Sequence, residues 1–245
     1  MTLDFKNWKN DPVRIIRSRG GKIAFIDYRD NLLIPKNVIW PHPDIVKKLY
    51  KSNRINAFFE KDIPRLRKVL GFYCDLQSMR SEDAITWSVF GTLNFFDSSI
   101  KTRFLNSLLK GIGEEANNNK CTLQLWSRVA HPDTLVSGGP ELDFQFLGDS
   151  TVIFGESKWR SKISRRQGKS KKKDQIQLRK EYLSKYGAKI FPTSENRFVL
   201  LIGREKDMNT EDEVNYLSWD TVCTSLDHPL GDELAQYYKW KMKYG

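Results

Sequence analysis

Two short clusters hold the side-chain types that metal-assisted phosphoryl chemistry uses: Glu141-Leu142-Asp143, and Gly155-Glu156-Ser157-Lys158-Trp159. Carboxylates are hard oxygen donors that suit magnesium, with manganese able to substitute. A cation held between them polarises a phosphoryl oxygen and lowers the pKa of a bound water. An adjacent ammonium group orients that water or stabilises charge developing on the phosphate. Without a cation, paired carboxylates repel and one tends to take up a proton. A run of cations follows Lys158 with no acid until Asp174: Arg160, Lys162, Arg165, Arg166, Lys169, Lys171, Lys172 and Lys173. Such a run contacts phosphates by charge and positions a duplex without reading its sequence. It also reads as a solvated loop that orders when nucleic acid binds. Acid, acid, amine and basic run together point to a nuclease.

These side chains need strands to position them. From Cys121 the apolar period is two, and Cys121–Ala130, Leu142–Leu147 and Thr151–Trp159 read as three consecutive strands. Alternation puts Glu156 and Lys158 on one face and Ser157 on the other. Gly148-Asp149 reads as a tight two-residue turn that pairs Leu147 with Ser150. In that register Asp143 lies opposite Phe154 and diagonal to Glu156, roughly 7–8 Å away, while Glu141 lies directly opposite Glu156. Parity puts both acids on the face of Glu156.

Upstream, Ser81 reads as an N-cap, with Glu82 and Asp83 in the first turn and an apolar Ile85, Val89, Leu93 face. An acid in a first turn is also stabilised by the helix dipole without any metal. Leu105, Leu108 and Leu109 continue helical character up to Gly111 and Gly113. Lys171 to Tyr186 is helical in composition, and Arg197–Gly203 is an apolar run of strand length. Near the N-terminus a hairpin is expected from Val13–Arg17 and Lys22–Ile26 around Gly20-Gly21, with short helices at Asp44–Lys51 and Ile63–Leu70. Two helices are expected to close the chain, near Glu213–Thr224 and Asp232–Lys243. Trp87, Trp126 and Trp159 fall inside these elements and are expected in the core rather than stacked on bases.

Composition bounds the partners. A net charge of +11 favours a polyanion, most often nucleic acid. An apolar fraction of 39% supports a packed core. No apolar run approaches membrane-helix length, and Met1 to Asn10 has no signal-peptide pattern. Cys74, Cys121 and Cys223 are isolated and odd in number, as expected of reduced thiols in a cytoplasmic protein. The three histidines are far apart in sequence, which argues against histidine-based nucleases. No phosphate-binding glycine loop appears, so no nucleotide cofactor is expected.

Pro140-Glu141-Leu142-Asp143, twelve intervening residues, then Glu156-Ser157-Lys158 resembles the PD-(D/E)xK signature of the restriction-endonuclease-like nuclease superfamily. The resemblance covers roughly residues 81–203 and departs from the classical Pro-Asp dipeptide. It implies an α/β fold with a core of helix, three-stranded antiparallel meander, helix and strand. An N-terminal extension (1–75), the nuclease core (76–205) and a C-terminal helical segment (206–245) would follow. By resemblance Asp143 and Glu156 bind magnesium, the Ser157 carbonyl adds a ligand, and Lys158 assists the attacking water. Glu82 matches a helical glutamate found in many members, and Gln175 or Gln177 a glutamine found in several branches. The family's spacing favours Asp143 over Glu141, although strand parity does not separate them.

The expectation is a magnesium-dependent DNA endonuclease in restriction or defence, mobile-element, or repair and junction processing. A catalytically inactive DNA-binding or assembly module of the same fold and an RNA-directed nuclease are the alternatives. The partner is DNA, with a homodimer or a partner protein engaged through the N-terminal extension.

Overall fold

A computed structural model describes residues 5–17, 21–51, 75–115, 117–133, 137–161, 173–204 and 214–245. The chain forms two compact units, one of residues 1–92 and 232–245, the other of residues 93–231. These boundaries differ from 75/76 and 205/206 at both ends. The expected helix Ile63–Leu70, the thiol Cys74 and most of the basic run lie outside the described residues.

In the first unit, β1 (Phe5–Lys6) pairs with β2 (Pro12–Val13), and β3 (Ile15–Arg17) with β4 (Ile23–Phe25), both antiparallel. Helix α1 spans Pro43–Lys51 and α2 spans Glu82–Phe90. The Ser81 hydroxyl caps α2 by accepting the Ala84 N–H at 3.0 Å, as its sequence signature requires. The expected apolar face of Ile85, Val89 and Leu93 is buried, and burial extends all round the helix from Ala84 to Phe90. The last helix of the chain, Gly231–Tyr244, belongs here because its aromatic side chains complete this core. Trp240 stacks near Phe25, Tyr237 meets Trp8 edge-on, and the Trp240 indole donates to the Lys6 carbonyl. Lys241, on the same helix, is fully buried and donates to the Met79 carbonyl at 2.8 Å.

The second unit is built on a five-stranded mixed sheet in the order β5 (Cys121–Ala130), β6 (Ser137–Gly148), β7 (Thr151–Ser157), β8 (Asn196–Gly203), β9 (Asn215–Ser218). The first three strands form an antiparallel meander, and β7–β8 and β8–β9 are parallel. A parallel neighbour needs a crossover, and here it is the helix α4 (Gln175–Ile190; α3 is Ser98–Gly111). Phe104 of α3 packs on Phe146, and Tyr182 of α4 packs on Phe154. Phe146 pairs in register with Ile153, so alternation places Phe146 and Phe154 on opposite faces. The unit is therefore helix, sheet, helix. Lying third of five, β7 is buried along its whole length, which explains its run of Val152, Ile153 and Phe154.

Local differences from the sequence reading have clear causes. The turn between β6 and β7 is Asp149-Ser150, not Gly148-Asp149, because Leu147 pairs with Val152. Helix α4 starts at Gln175, not Lys171, because the Asp174 side chain caps it by accepting the Gln177 N–H at 2.8 Å. Residues 215–218, expected as helix, form β9 because they pair in parallel with Leu200–Gly203 and bury Leu217. Helix α5 (Trp219–Thr224) follows directly, capped by Ser218. Cys121 and Cys223 are free and buried, and Trp87, Trp126 and Trp159 are all in the core. Among the described residues no helix is long and apolar enough to cross a membrane.

Candidate active site

The site forms where β7 ends against the middle of β6, beside the first turns of α4. Phe144↔Gly155 is the last pair of the β6–β7 ladder, and its register extended by one residue sets Asp143 opposite Glu156. The expected register was off by two residues, which preserves facing but changes the partner. Glu141 is the acid displaced. It is exposed and forms an ion pair with Arg128 across β5 at 3.1 Å. Asp143 is half-buried, and its Oδ2 accepts the Ser157 backbone N–H at 2.8 Å.

Glu156 is 1% exposed. A bare carboxylate in such a place is strongly disfavoured, and two cations answer it. Lys158 Nζ lies 2.5 Å from Oε1. The Arg179 guanidinium lies against Oε2 as a charge contact without hydrogen-bond alignment. Burial, then the negative charge of Asp143, raise the Glu156 carboxyl to about 7 against the opposing pull of Arg179 and Lys158. Asp143 lies beside Glu156, because its Oδ2 accepts the N–H of the next residue, Ser157.

The cations are themselves fixed. The Lys158 N–H donates to the Ile202 carbonyl at 2.7 Å, and the Lys158 carbonyl accepts the Trp219 indole N–H at 2.8 Å. Backbone bonds to β8 and to the start of α5 thus hold Lys158 just beyond the strand end. Arg179, 3% exposed, donates through Nη2 to the Glu141 carbonyl (2.8 Å) and through Nη1 to the Gln175 carbonyl (3.1 Å). The sequence reading missed Arg179. Its signal was there: Ile176, Arg179 and Leu183 follow the i, i+3, i+7 spacing of a buried stripe, and a cation in such a stripe needs an anionic partner. Arg204, just past β8, was also missed. It is 7% exposed and stacks over the Trp159 ring at 5.5 Å.

Ser157 is fully buried, and its hydroxyl has no hydrogen-bond partner among the described residues. Gln175 opens α4, with its side-chain oxygen buried and without a hydrogen bond among the described residues. Gln177 instead completes the capping box, its Oε1 accepting the Asp174 N–H at 3.2 Å. Gln175 is thus the glutamine left for the site. Glu82 belongs to the other compact unit, in the first turn of α2 behind the Ser81 cap. Of the basic run, Arg160 is exposed with a left-handed φ of 60°, three residues past the end of β7. Lys173 pairs with Glu181 on α4. Lys162, Arg165, Arg166, Lys169, Lys171 and Lys172 lie outside the described residues. By connectivity they join the end of β7 to the start of α4, the elements that carry Lys158 and Arg179.

Among the described residues no group of three or more His, Cys, Asp or Glu is arranged to hold a metal. Magnesium does not need one, since it keeps several waters and is bound through one or two carboxylates plus substrate phosphates. Asp143 in the middle of β6 and Glu156 near the end of β7 supply two carboxylates that fit that donor chemistry.

No protein-family model, curated protein or solved structure matches this chain.

Proposed function

We propose that this chain is a divalent-cation-dependent endonuclease with a restriction-endonuclease-like core, hydrolysing DNA phosphodiester bonds in restriction or defence, mobile-element, or repair and junction processing. One observation carries the proposal. A buried carboxylate, Glu156, is gathered with a second acid, Asp143, and two cations, Lys158 and Arg179, at the end of a central strand. Structural ion pairs are common on surfaces and rare when this deeply buried. Perturbed carboxyls with specific charged neighbours cluster at functional sites.

Asp143, Glu156 and the Ser157 carbonyl would hold magnesium. When bound it would supply Lewis-acid polarisation of the phosphoryl group and a more acidic water. The chain's own residues do the rest. Lys158, fixed by its backbone bonds, presents an ammonium group to the reacting phosphate or its attacking water. Asp143 holds the backbone of β7 at Ser157 and so fixes the direction of Glu156 and Lys158. The excess of cations in the segment after Trp159 supplies affinity for the polyanion.

A second reading is a DNA-binding module that has lost catalysis. What favours it is the pairing of Glu156 with both Lys158 and Arg179, which satisfies the carboxylate without any metal. The deciding experiment incubates supercoiled plasmid with the full chain in magnesium or manganese, beside the E156Q variant and an RNA substrate. Linear or nicked plasmid from the wild type alone supports the proposal. Binding with no cleavage under both cations favours the module, and cleavage of RNA alone redirects the substrate.

A further inference from the structure

We propose that Arg179 is a built-in competitor for the divalent cation, holding the Glu156 carboxylate until a phosphodiester arrives with the metal. This rests on the nuclease reading and adds how the same site is kept idle.

With both acids ionised, as metal binding requires, Asp143 and Glu156 carry two negative charges against two positive ones on Lys158 and Arg179. The fixed site is neutral without a metal. Glu156, Lys158 and Arg179 are 1%, 7% and 3% exposed, so water does little to screen them. A divalent cation entering alone would leave two uncompensated positive charges in a poorly hydrated site, which is strongly disfavoured. A phosphodiester and an ionised nucleophile each bring one negative charge. Metal with nucleic acid therefore leaves one uncompensated positive charge instead of two, and the ionised nucleophile removes the last.

Geometry says which group yields. Lys158 is pinned through its own backbone on both sides, to Ile202 and to Trp219. Arg179 meets Oε2 without hydrogen-bond alignment, whereas its bonds to the Glu141 and Gln175 carbonyls are well formed. Those two carbonyls keep the guanidinium close after Glu156 is surrendered, where its positive charge faces the incoming phosphate. Arginine is suited to this because its planar fork serves carboxylate, carbonyl and phosphate oxygens alike.

Reciprocity is required. If nucleic acid raises metal affinity, metal raises nucleic-acid affinity by the same factor. The test is Mn2+ binding, followed by the electron paramagnetic resonance of free Mn2+. It uses the full-length wild type and the R179Q and R179K variants, with and without a phosphorothioate-protected DNA duplex. The wild type is expected to bind Mn2+ at least about 10-fold more tightly with the duplex. R179Q is expected to bind Mn2+ about 10-fold more tightly than wild type in the absence of DNA and to lose most of that coupling. R179K, which keeps the charge but not the fork, is expected to fall between wild type and R179Q. Equal Mn2+ affinity of the wild type with and without duplex overturns the competitor role, whether or not R179Q folds. Equal affinity of R179Q and wild type without DNA does the same, and both results leave the metal centre standing. Absence of Mn2+ binding by every protein, duplex present or not, overturns the metal-dependent reading itself.

Discussion

The Asp143 side chain accepts the backbone N–H of Ser157 at 2.8 Å, tying the strand that carries one acid to the residue between Glu156 and Lys158. A side chain that bonds a neighbouring backbone cannot drift, so the distance between the two acids is set by the sheet. The neighbouring acid, Glu141, is exposed and paired with Arg128. This contrast yields the first prediction. D143N is expected to lower cleavage about 10³-fold, the scale of losing one preorganised electrostatic group. E141Q is expected to stay within about threefold of wild type, since exposed ion pairs contribute little. Plasmid cleavage rates for the two variants check it. The opposite ranking would move the site to Glu141.

Removing one cation from a buried pair leaves the other charge exposed to the low-dielectric interior. K158A is therefore expected to abolish cleavage and also to destabilise the sheet unit by about 3 kcal/mol. The double variant K158M with E156Q removes this pair but leaves Arg179 buried without its acid, so it is expected to recover only part of that stability and to remain inactive. Urea unfolding of wild type, K158M, E156Q and the double variant measures the coupling. Additive losses would mean that the two groups do not interact.

Gly155 sits between the hydrophobic part of β7 and its charged end. A Cβ built there would lie 2.2 Å from the Phe144 ring, which pairs across from it. The ring is buried and has no room to retreat. G155A is expected to cost about 2 kcal/mol or more, read as a fall in the urea midpoint. A midpoint unchanged from wild type would contradict this packing.

The six cations Lys162, Arg165, Arg166, Lys169, Lys171 and Lys172 lie between the two elements that form the site. If all six engage phosphates, the slope of log affinity against log salt is about −5. Changing them to serine is expected to flatten the slope and weaken duplex binding without altering Mn2+ binding. Affinity indifferent to salt would remove the run from the interface.

Lys241 has a different role, in the unit that holds the terminal helix. Burial pulls its pKa from 10.5 down to about 7. A lysine in the unfolded chain stays protonated to about 10.4. Between these values the unfolded state binds more protons than the folded state, so stability rises with pH. Below about pH 7 both states are protonated and this dependence ends. The wild type is expected to gain about 1 kcal/mol per pH unit across that window. K241M cannot titrate and is expected to lack this component. Urea denaturation of both proteins at several pH values checks it, and identical slopes would contradict it.

The sequence by itself determined the local features. Alternation along β7 put Glu156 and Lys158 on one face, the serine before Glu82 announced a helix start, and the apolar run 198–202 announced a buried strand. Each depends only on near neighbours, and local periodicity records near neighbours faithfully. Tertiary structure decided the partners. The β6–β7 register set Asp143 rather than Glu141 opposite Glu156, and a two-residue slip between those alternatives leaves side-chain facing unchanged, so parity could not detect it. Strand β9 exists because β8 offers it a parallel edge, and the last helix joins the N-terminal unit because distant aromatic side chains enclose it. Arg179 reaches Glu156 only because the crossover helix lies back over the sheet, a contact that no spacing along the chain specifies.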